Sequence, residues 1–324
     1  MTAATAPLAL TPQRRRLLGI VAMCIGVFAF TFQDLIIKGI SGAYPVHEIL
    51  FVRTAVVLPI ILLIAHFEHG LGRLRTSRLG AHVTRSVIMF LAYTTYYLGI
   101  AALPLATAVA ISFSAPLFIT ALAGPLLGER VGAMRWIAVI AGFVGVLIVM
   151  WDKLGALELA VLLPAVSAIC YALSQLHARH IGSTESGSAL SFYLTIVFFT
   201  LSGIAGLITG SGAFEHWAHP SLAFLLRAWS MPTAQDFLLI ACCGLCASVG
   251  VYSLAQGYRM TEANEAALFE YTALPWAILW GALFFSEIPG LGTLFGVVLV
   301  ILAGLSIAWR ERRRIEPPLR GNET

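Results

Sequence analysis

Long apolar stretches recur along almost the whole chain, separated by short segments that contain arginine, glycine, proline and other polar residues. An α-helix needs roughly 20 residues to cross the hydrocarbon core of a bilayer. Read at that length, the pattern predicts ten membrane-spanning helices, at residues 17–37, 49–66, 83–103, 105–127, 134–151, 157–176, 189–209, 237–257, 266–285 and 291–309. The predicted fold class is therefore an all-α membrane protein with ten transmembrane helices.

The composition agrees with a membrane protein and disfavours several other classes. Of the 324 residues, 59% are hydrophobic and 11% are charged, whereas soluble domains have about 45–50% apolar and about 25% charged residues. A soluble enzyme, a disordered chain and a nucleic-acid-binding module are therefore disfavoured. The net charge of +4 is too small to indicate nucleic acid as a partner. The expected partners are the lipid bilayer and a small-molecule solute.

The basic residues predict the orientation. When the ten spans alternate in direction, all but four of the 20 basic residues fall on the side of the N-terminus. The exceptions are Lys38, Arg53, Lys153 and Arg227. By the positive-inside rule this side is the cytoplasm, so both termini are predicted to be cytoplasmic. A basic N-terminal segment (1–16) and a basic tail (311–324) then flank the spans.

The second half of the chain echoes the first, with matching residues in the same order and at nearly constant separation. The matches are Pro116 with Pro275, Glu129 with Glu287, and Gly145 with Gly304. They predict two five-span repeats, 17–155 and 156–310. Because five is odd, the halves enter the membrane from opposite sides, which is the inverted-topology repeat of secondary transporters working by alternating access. The two prolines are predicted to kink their spans.

Glu270, inside the ninth span, is the clearest candidate for transport chemistry. An ionisable residue in the hydrocarbon costs about 2.5–3.5 kcal/mol on insertion scales, so it tends to face a cavity or a partner. We expect Glu270 to face a central chamber, as a proton acceptor or as the counter-charge of a cationic solute group. The alternative is an interfacial glutamate that reaches cytoplasmic water.

Four charged residues cluster near the outer ends of the first two spans. Asp34 and Lys38 are four residues apart and share a helix face, where they can pair. One interpretation is an outer gate of ion pairs formed by Asp34, Lys38 and Glu48 together with Arg53. The other is that Arg53 or Lys38 binds a carboxylate or phosphate of the solute.

Polar and aromatic residues four apart give several spans a face suited to a flat or zwitterionic solute. The preferred members are Tyr97, Tyr171 and Gln256, and further candidates are Ser114 and Trp276. Simple packing or an interfacial belt is the alternative for each aromatic residue. No metal site or cofactor is expected, because the cysteine group at 242–246 and the pair His177 and His180 each have too few ligands.

Several of these features resemble one family. They are Lys38, Phe51-Val52-Arg53, Leu103-Pro104, Gly128-Glu129, Gly142, Gly145, Glu270 and Ser286-Glu287. Together they resemble the drug/metabolite transporter superfamily, in its EamA-type ten-helix branch. Asp34-x-x-x-Lys38 and His47-Glu48-x-x-x-x-Arg53 look like the bacterial S-adenosylmethionine and riboflavin uptake subgroups.

The resemblance implies a permease of the bacterial inner membrane that carries a small organic metabolite and is proton-coupled or an exchanger. Riboflavin or S-adenosylmethionine uptake is favoured, and an amino-acid or drug exporter of the same superfamily is the alternative. A multispan membrane enzyme is the alternative from another class. It would need a nucleophile, a base or a metal set at one interface, and the chain offers little of this, so we expect no enzymatic activity.

Overall fold

The computed structural model of the protein describes residues 11–128, 132–155, 159–181, 187–261 and 269–315, and within these ranges the chain is helical and has no strand. The helices are α1 (Pro12–Ile40), α2 (Val46–His69), α3 (Leu79–Ala102), α4 (Leu105–Ser112), α5 (Ala115–Leu127), α6 (Ala133–Gly155), α7 (Leu162–Ile181), α8 (Gly187–Thr209), α9 (Pro220–Leu226), α10 (Ala234–Met260), α11 (Ala273–Phe285) and α12 (Leu291–Ile315). Short 3-10 turns lie at Leu71–Leu74 and Leu159–Val161. Glu129, which the repeat pattern singles out, lies outside the described residues.

Six helical segments in the described part of the chain are long and apolar enough to cross a membrane. They are Gln13–Ile40, Val46–Phe67, Leu105–Leu126, Ala133–Trp151, Ala189–Thr209 and Ala234–Gly257. Shorter apolar helices cover Leu162–Ala178, Ala273–Phe285 and Leu291–Ser306. The helix α3 is not among them, because it contains Arg85 and a run of threonines and tyrosines that make it more polar. The described part of the chain is therefore all-helical, with several helices apolar enough for a membrane, as the sequence predicts.

The predicted fourth span is broken in two. The helix α4 ends at Ser112 and α5 begins at Ala115, directly before Pro116. A proline has no N–H to donate to the carbonyl four residues before it, and its ring clashes with that carbonyl, which for Pro116 belongs to Ser112. The same happens before Pro275, where residues 271 and 272 form a turn and α11 begins at Ala273.

Glycine allows two of the helices to approach each other closely. The helices α6 and α12 cross where Gly145 faces Gly296, and a Cβ added to Gly296 would lie 2.6 Å from the carbonyl oxygen of Gly145. Other extensive contacts join α1 to α10, α3 to α7 and α2 to α8. Small residues at such crossings are typical of membrane helices, whose association depends on van der Waals packing.

One end of the bundle is covered by residues 210–233, which we call the cap segment; the end is called the cap end. The segment contains the short helix α9, whose Phe224 is fully buried. The Ser221 hydroxyl donates to the carbonyl oxygen of Leu98 (2.7 Å), and Arg227 donates to the carbonyl of Ser41 (2.8 Å). The cap segment is therefore packed onto α3 and onto the connection between α1 and α2.

Candidate functional site

The core of the bundle contains an arginine held by tyrosine and glutamine. Arg53 on α2 is only 6% exposed, and its guanidinium group donates to the hydroxyl of Tyr97 on α3 at 2.7 Å. Gln33 on α1 is oriented so that its amide oxygen accepts from Tyr97 (2.8 Å) and Arg53 (3.2 Å) while its nitrogen donates to the carbonyl of Cys243 (3.0 Å). Four helices thereby position one buried cation.

Tyrosine rings surround the same arginine. The Arg53 guanidinium carbon lies 5.6 Å from the ring centre of Tyr93 and 5.9 Å from that of Tyr97. Tyr93 and Tyr97 share a face of α3 because they are four residues apart. A cation over an aromatic ring is attracted by about 0.5–2 kcal/mol, more when water is excluded. The rings therefore help to stabilise a charge that would otherwise be costly to bury.

Asp34 is an acidic group that acts on Arg53, but no ion pair joins the two among the described contacts. Its carboxylate accepts a hydrogen bond from Tyr96 (2.7 Å) and interacts electrostatically with Arg53. The Nε of Arg53 is buried and has no hydrogen-bond partner among the described residues. A buried cation with an open donor and no direct carboxylate partner can bind an anionic group.

A second polar group lies along α3 on the far side of Tyr93 from the cap end. The hydroxyl of Tyr171 on α7 interacts electrostatically with Tyr93, Arg85 and Glu270 and forms a hydrogen bond with Gln175. Although these charged and polar groups surround it, Tyr171 is 37% exposed.

At the cap end, an ion pair joins α1 to the segment after α11. The Lys38 Nζ lies 2.8 Å from a carboxylate oxygen of Glu287 and donates to the carbonyls of Ile100 (3.1 Å) and Leu103 (2.5 Å). The other Glu287 oxygen accepts from the backbone N–H of Leu105 at 2.9 Å. Lys38 thus lies at the C-terminal end of α3, and Glu287 lies at the N-terminal end of α4. The helix dipole favours a positive charge at the first of these places and a negative charge at the second.

This arrangement differs from the expected network of Asp34, Lys38, Glu48 and Arg53. Lys38 pairs with Glu287 rather than with Asp34, because the ammonium group reaches the end of α3 while Tyr96 takes the Asp34 carboxylate. Glu48 instead accepts from the backbone N–H of Ser230 in the cap segment at 3.3 Å.

Further polar contacts fasten the cap segment beside Glu48. Trp229 donates its indole N–H to His47 Nδ1, and His47 Nε2 lies 2.8 Å from the Thr209 hydroxyl. Tyr44, in the connection after α1, donates to Asp236 at 2.7 Å, and this hydrogen bond raises the pKa of Tyr44. The cap end is therefore closed by several independent contacts.

Three predicted residues lie apart from the Arg53 cluster. Trp276 stacks on Trp280 (ring centres 5.4 Å apart) and meets Phe28 edge-on (5.0 Å) between α11 and α1. Ser114 is buried and donates to the carbonyl of Ile111 at the break between α4 and α5. Gln256 is half-buried on α10, near the helix end farthest from the cap segment.

The sequence reasoning missed Gln33, Arg85 and Glu287 as members of these groups. Gln33 precedes Asp34 and gave no signal of its own, because uncharged polar residues are common in membrane helices. Arg85 is one of the basic residues that predict the orientation, although its place inside a span already marks it as unusual.

Comparison with known proteins identifies the family of this architecture. The family model described as EamA-like transporter family matches residues 17–151. A riboflavin transporter of Rhizobium johnstonii is 30% identical over 249 residues, which cover 77% of this chain and 76% of the relative. The chain belongs to the EamA-like transporter family. It is a transporter of the drug/metabolite superfamily with a small metabolite as its substrate.

Two other matches extend over more of the chain. An S-adenosylmethionine uptake transporter of Rickettsia felis is 26% identical over 301 residues, covering 92% of this chain and 94% of the relative. One crystal structure covers 92% of this EamA-like chain and 99% of its own, with a TM-score of 0.60 and 18% identity. At this identity the likeness shows the shared fold alone.

Proposed function

We propose that this EamA-like protein is an alternating-access carrier built from two inverted five-span halves. The first half comprises α1, α2, α3, α4 with α5, and α6. The second comprises α7, α8, α10, α11 with the turn before it, and α12. In this assignment the cap-segment helix α9 is not a span, and the broken fourth span counts once.

The pattern of helix contacts carries this proposal. If each helix of the first half is exchanged for its equivalent in the second, the α1–α10 contact becomes the α7–α3 contact, and both are extensive. In the same way α2–α10 becomes α8–α3, while α2–α8 and α6–α12 map onto themselves. Such self-consistency is expected of a two-fold pseudosymmetric bundle and not of an arbitrary one.

The two broken spans support the same symmetry. The breaks precede Pro116 and Pro275, which are equivalent in the repeat, and the ring of Phe113 lies 5.1 Å from that of Tyr271. Discontinuous helices that meet near the middle of the bundle are a recurrent feature of inverted-repeat transporters.

The solute class that fits the core has a flat ring and an anionic group. The half-buried Tyr93 and Tyr96 offer rings for stacking, and Arg53 offers a buried cation whose Nε has no partner among the described residues. S-adenosylmethionine has both features, while riboflavin has the ring without the carboxylate. We propose uptake of a metabolite of this kind.

For the membrane arrangement we propose the bacterial inner membrane with both termini in the cytoplasm, as the positive-inside rule favours. The cap end, to which α1 runs, then faces the periplasm and is closed in this structure. Glu270, which interacts with the hydroxyls of Tyr171 and Tyr271, is the proposed proton acceptor on the opposite side of the core.

Counterflow in proteoliposomes tests the function. Purified protein is reconstituted into vesicles loaded with unlabelled S-adenosylmethionine or riboflavin, and entry of the labelled solute is followed. We expect transient accumulation of one of them, which a carrier produces by exchange. Vesicles with the Arg53→Gln variant and protein-free vesicles are the controls. Equal entry into all three kinds of vesicle for both solutes would contradict the proposed substrate class.

A further inference from the structure

Arg85 is a second buried arginine of the core, one helix away from Arg53. It lies on α3, which continues toward the cap end, and only 9% of the residue is exposed. Its guanidinium makes one hydrogen bond, to the carbonyl of Leu190 at 3.5 Å, the outer limit for such a bond. Its Nε is buried without a partner in the described part of the protein.

No described carboxylate compensates this charge. The groups that act electrostatically on Arg85 are the hydroxyls of Tyr171 and Tyr93. Lys38 at the cap end, by contrast, has both a carboxylate and two carbonyl partners. A buried charge without a counter-ion costs several kcal/mol, so a purely structural role explains Lys38 better than it explains Arg85.

The two arginines lie on either side of Tyr93. Arg85 precedes Tyr93 by eight residues, which places its Cα about 12 Å farther from the cap end along α3. Arg53 lies over the ring of Tyr93 at 5.6 Å, and both guanidinium groups interact electrostatically with the Tyr93 hydroxyl. Two buried cations thus follow one another along the direction in which a solute would cross.

We propose that Arg85 is a second anion-binding residue of the transport path, which receives the carboxylate of an amino-acid-like solute from Arg53 on the other side of Tyr93. This inference rests on the proposed carrier function. Glu270, which acts on the same Tyr171 hydroxyl as Arg85, supplies a negative charge for the cationic part of such a zwitterion.

Labelling with phenylglyoxal, which modifies accessible guanidinium groups, tests the binding directly. Purified protein is labelled alone, with S-adenosylmethionine or with riboflavin, and the modified peptides are quantified by mass spectrometry. When S-adenosylmethionine is present at about ten times its Kd, we expect the modification of Arg85 to slow about tenfold, because only the unoccupied fraction of the protein remains reactive. Riboflavin, which lacks a carboxylate, should not slow the modification of Arg85. Arg78 is exposed at the start of the same helix and serves as the internal control.

The labelling results decide the inference separately from the transport assay. Protection of Arg85 by S-adenosylmethionine without counterflow supports the anion site and contradicts transport of that solute. Counterflow without protection of Arg85 overturns the anion site and leaves the carrier function standing. If neither counterflow nor protection is observed, the anion site and the proposed substrate are both overturned. Equal protection by riboflavin, or no labelling of Arg85 while Arg78 is fully modified, also overturns the site.

Two further arms separate a solute site from other roles of Arg85. Anionic lipid headgroups offer the same chemistry, so protection by phosphatidylglycerol alone would assign the residue to lipid and overturn the proposal. In counterflow, Arg85→Gln should raise the half-saturating concentration of S-adenosylmethionine at least about tenfold, and Arg85→Lys should restore part of it. Arg78→Gln should match the wild type. Equal losses in both Arg85 variants together with a lower Tm would mark a structural role and overturn it.

Discussion

The cap end and the core of this transporter differ in whether a buried cation has a direct ion-pair partner. At the cap end, Lys38 and Glu287 are joined at 2.8 Å and their remaining hydrogen-bonding capacity is taken up by helix ends. In the core, Arg53 is held by hydroxyl and amide groups and acts on Asp34 without an ion pair, and its Nε has no hydrogen-bond partner among the described residues. A charge that is fully paired in the empty protein stabilises a conformation, whereas one without a direct ion-pair partner remains available for a solute.

The sharpest way to break this comparison is to neutralise Arg53. We expect Arg53→Gln to lower solute exchange at least about 30-fold, because the loss of a buried charged partner weakens binding by about 2–5 kcal/mol. Its Tm should change little, since the glutamine amide can still donate to Tyr97 and no direct ion pair is broken. Exchange is measured by counterflow and Tm by thermal unfolding in detergent. Arg75→Gln, at an exposed arginine, is the control, and a large drop in Tm for Arg53→Gln would contradict the distinction.

Breaking the ion pair between Lys38 and Glu287 at the cap end should lower the stability of the protein. Lys38→Met leaves Glu287 without its cation and should destabilise the protein by about 2 kcal/mol, below the cost of a fully buried pair because Glu287 is 22% exposed. The double variant Lys38→Met/Glu287→Leu should recover part of this loss. Thermal unfolding of the single and double variants gives the coupling energy. If the two single losses simply add, the ion pair does not hold the cap end closed.

The pH dependence of exchange tests the proposed role of Glu270. Glu270→Gln should remove the pH dependence of exchange while leaving the fold intact, because a residue proposed as the proton acceptor can no longer titrate. Exchange rates are measured across a pH series in proteoliposomes. Glu215→Gln, at an exposed position of the cap segment, should keep the wild-type profile. An unchanged profile in Glu270→Gln would exclude it as the coupling group.

The smallest effect is expected at the hydrogen bond between Tyr44 and Asp236. Tyr44→Phe should lower Tm slightly at neutral pH. Because the pKa of Tyr44 is raised, its stabilising contribution is present below the ordinary pKa of tyrosine and is lost as the pH rises through the raised value. The difference in Tm between wild type and variant should therefore disappear at strongly alkaline pH. A difference that persists there would mean that the ring, not the hydroxyl, matters.

Local properties made much of this protein predictable. Hydropathy marked the membrane helices. The two prolines predicted kinks at the places where the structure has breaks, before Pro116 and Pro275, because a proline acts on its own helix wherever it lies in the fold. Arg53 and Tyr97 were candidates from the cost of a buried charge and from their helix faces, and they are in direct contact. Trp276 satisfied the same criteria yet packs against other aromatic rings, since a helix-face pattern does not distinguish neighbours.

The sequence by itself determined an all-helical membrane protein, the places where its spans break and the residue types that are expensive to bury. Only the tertiary structure decided that Lys38 meets Glu287, that Tyr96 donates to Asp34 and that Arg85 lies inside the bundle without a carboxylate partner in the described part of the chain. The physical reason is one of range. Helix formation and hydropathy depend on residues that are close in sequence. The partner of a buried charge comes from a helix that is distant in sequence and that packing brings beside it.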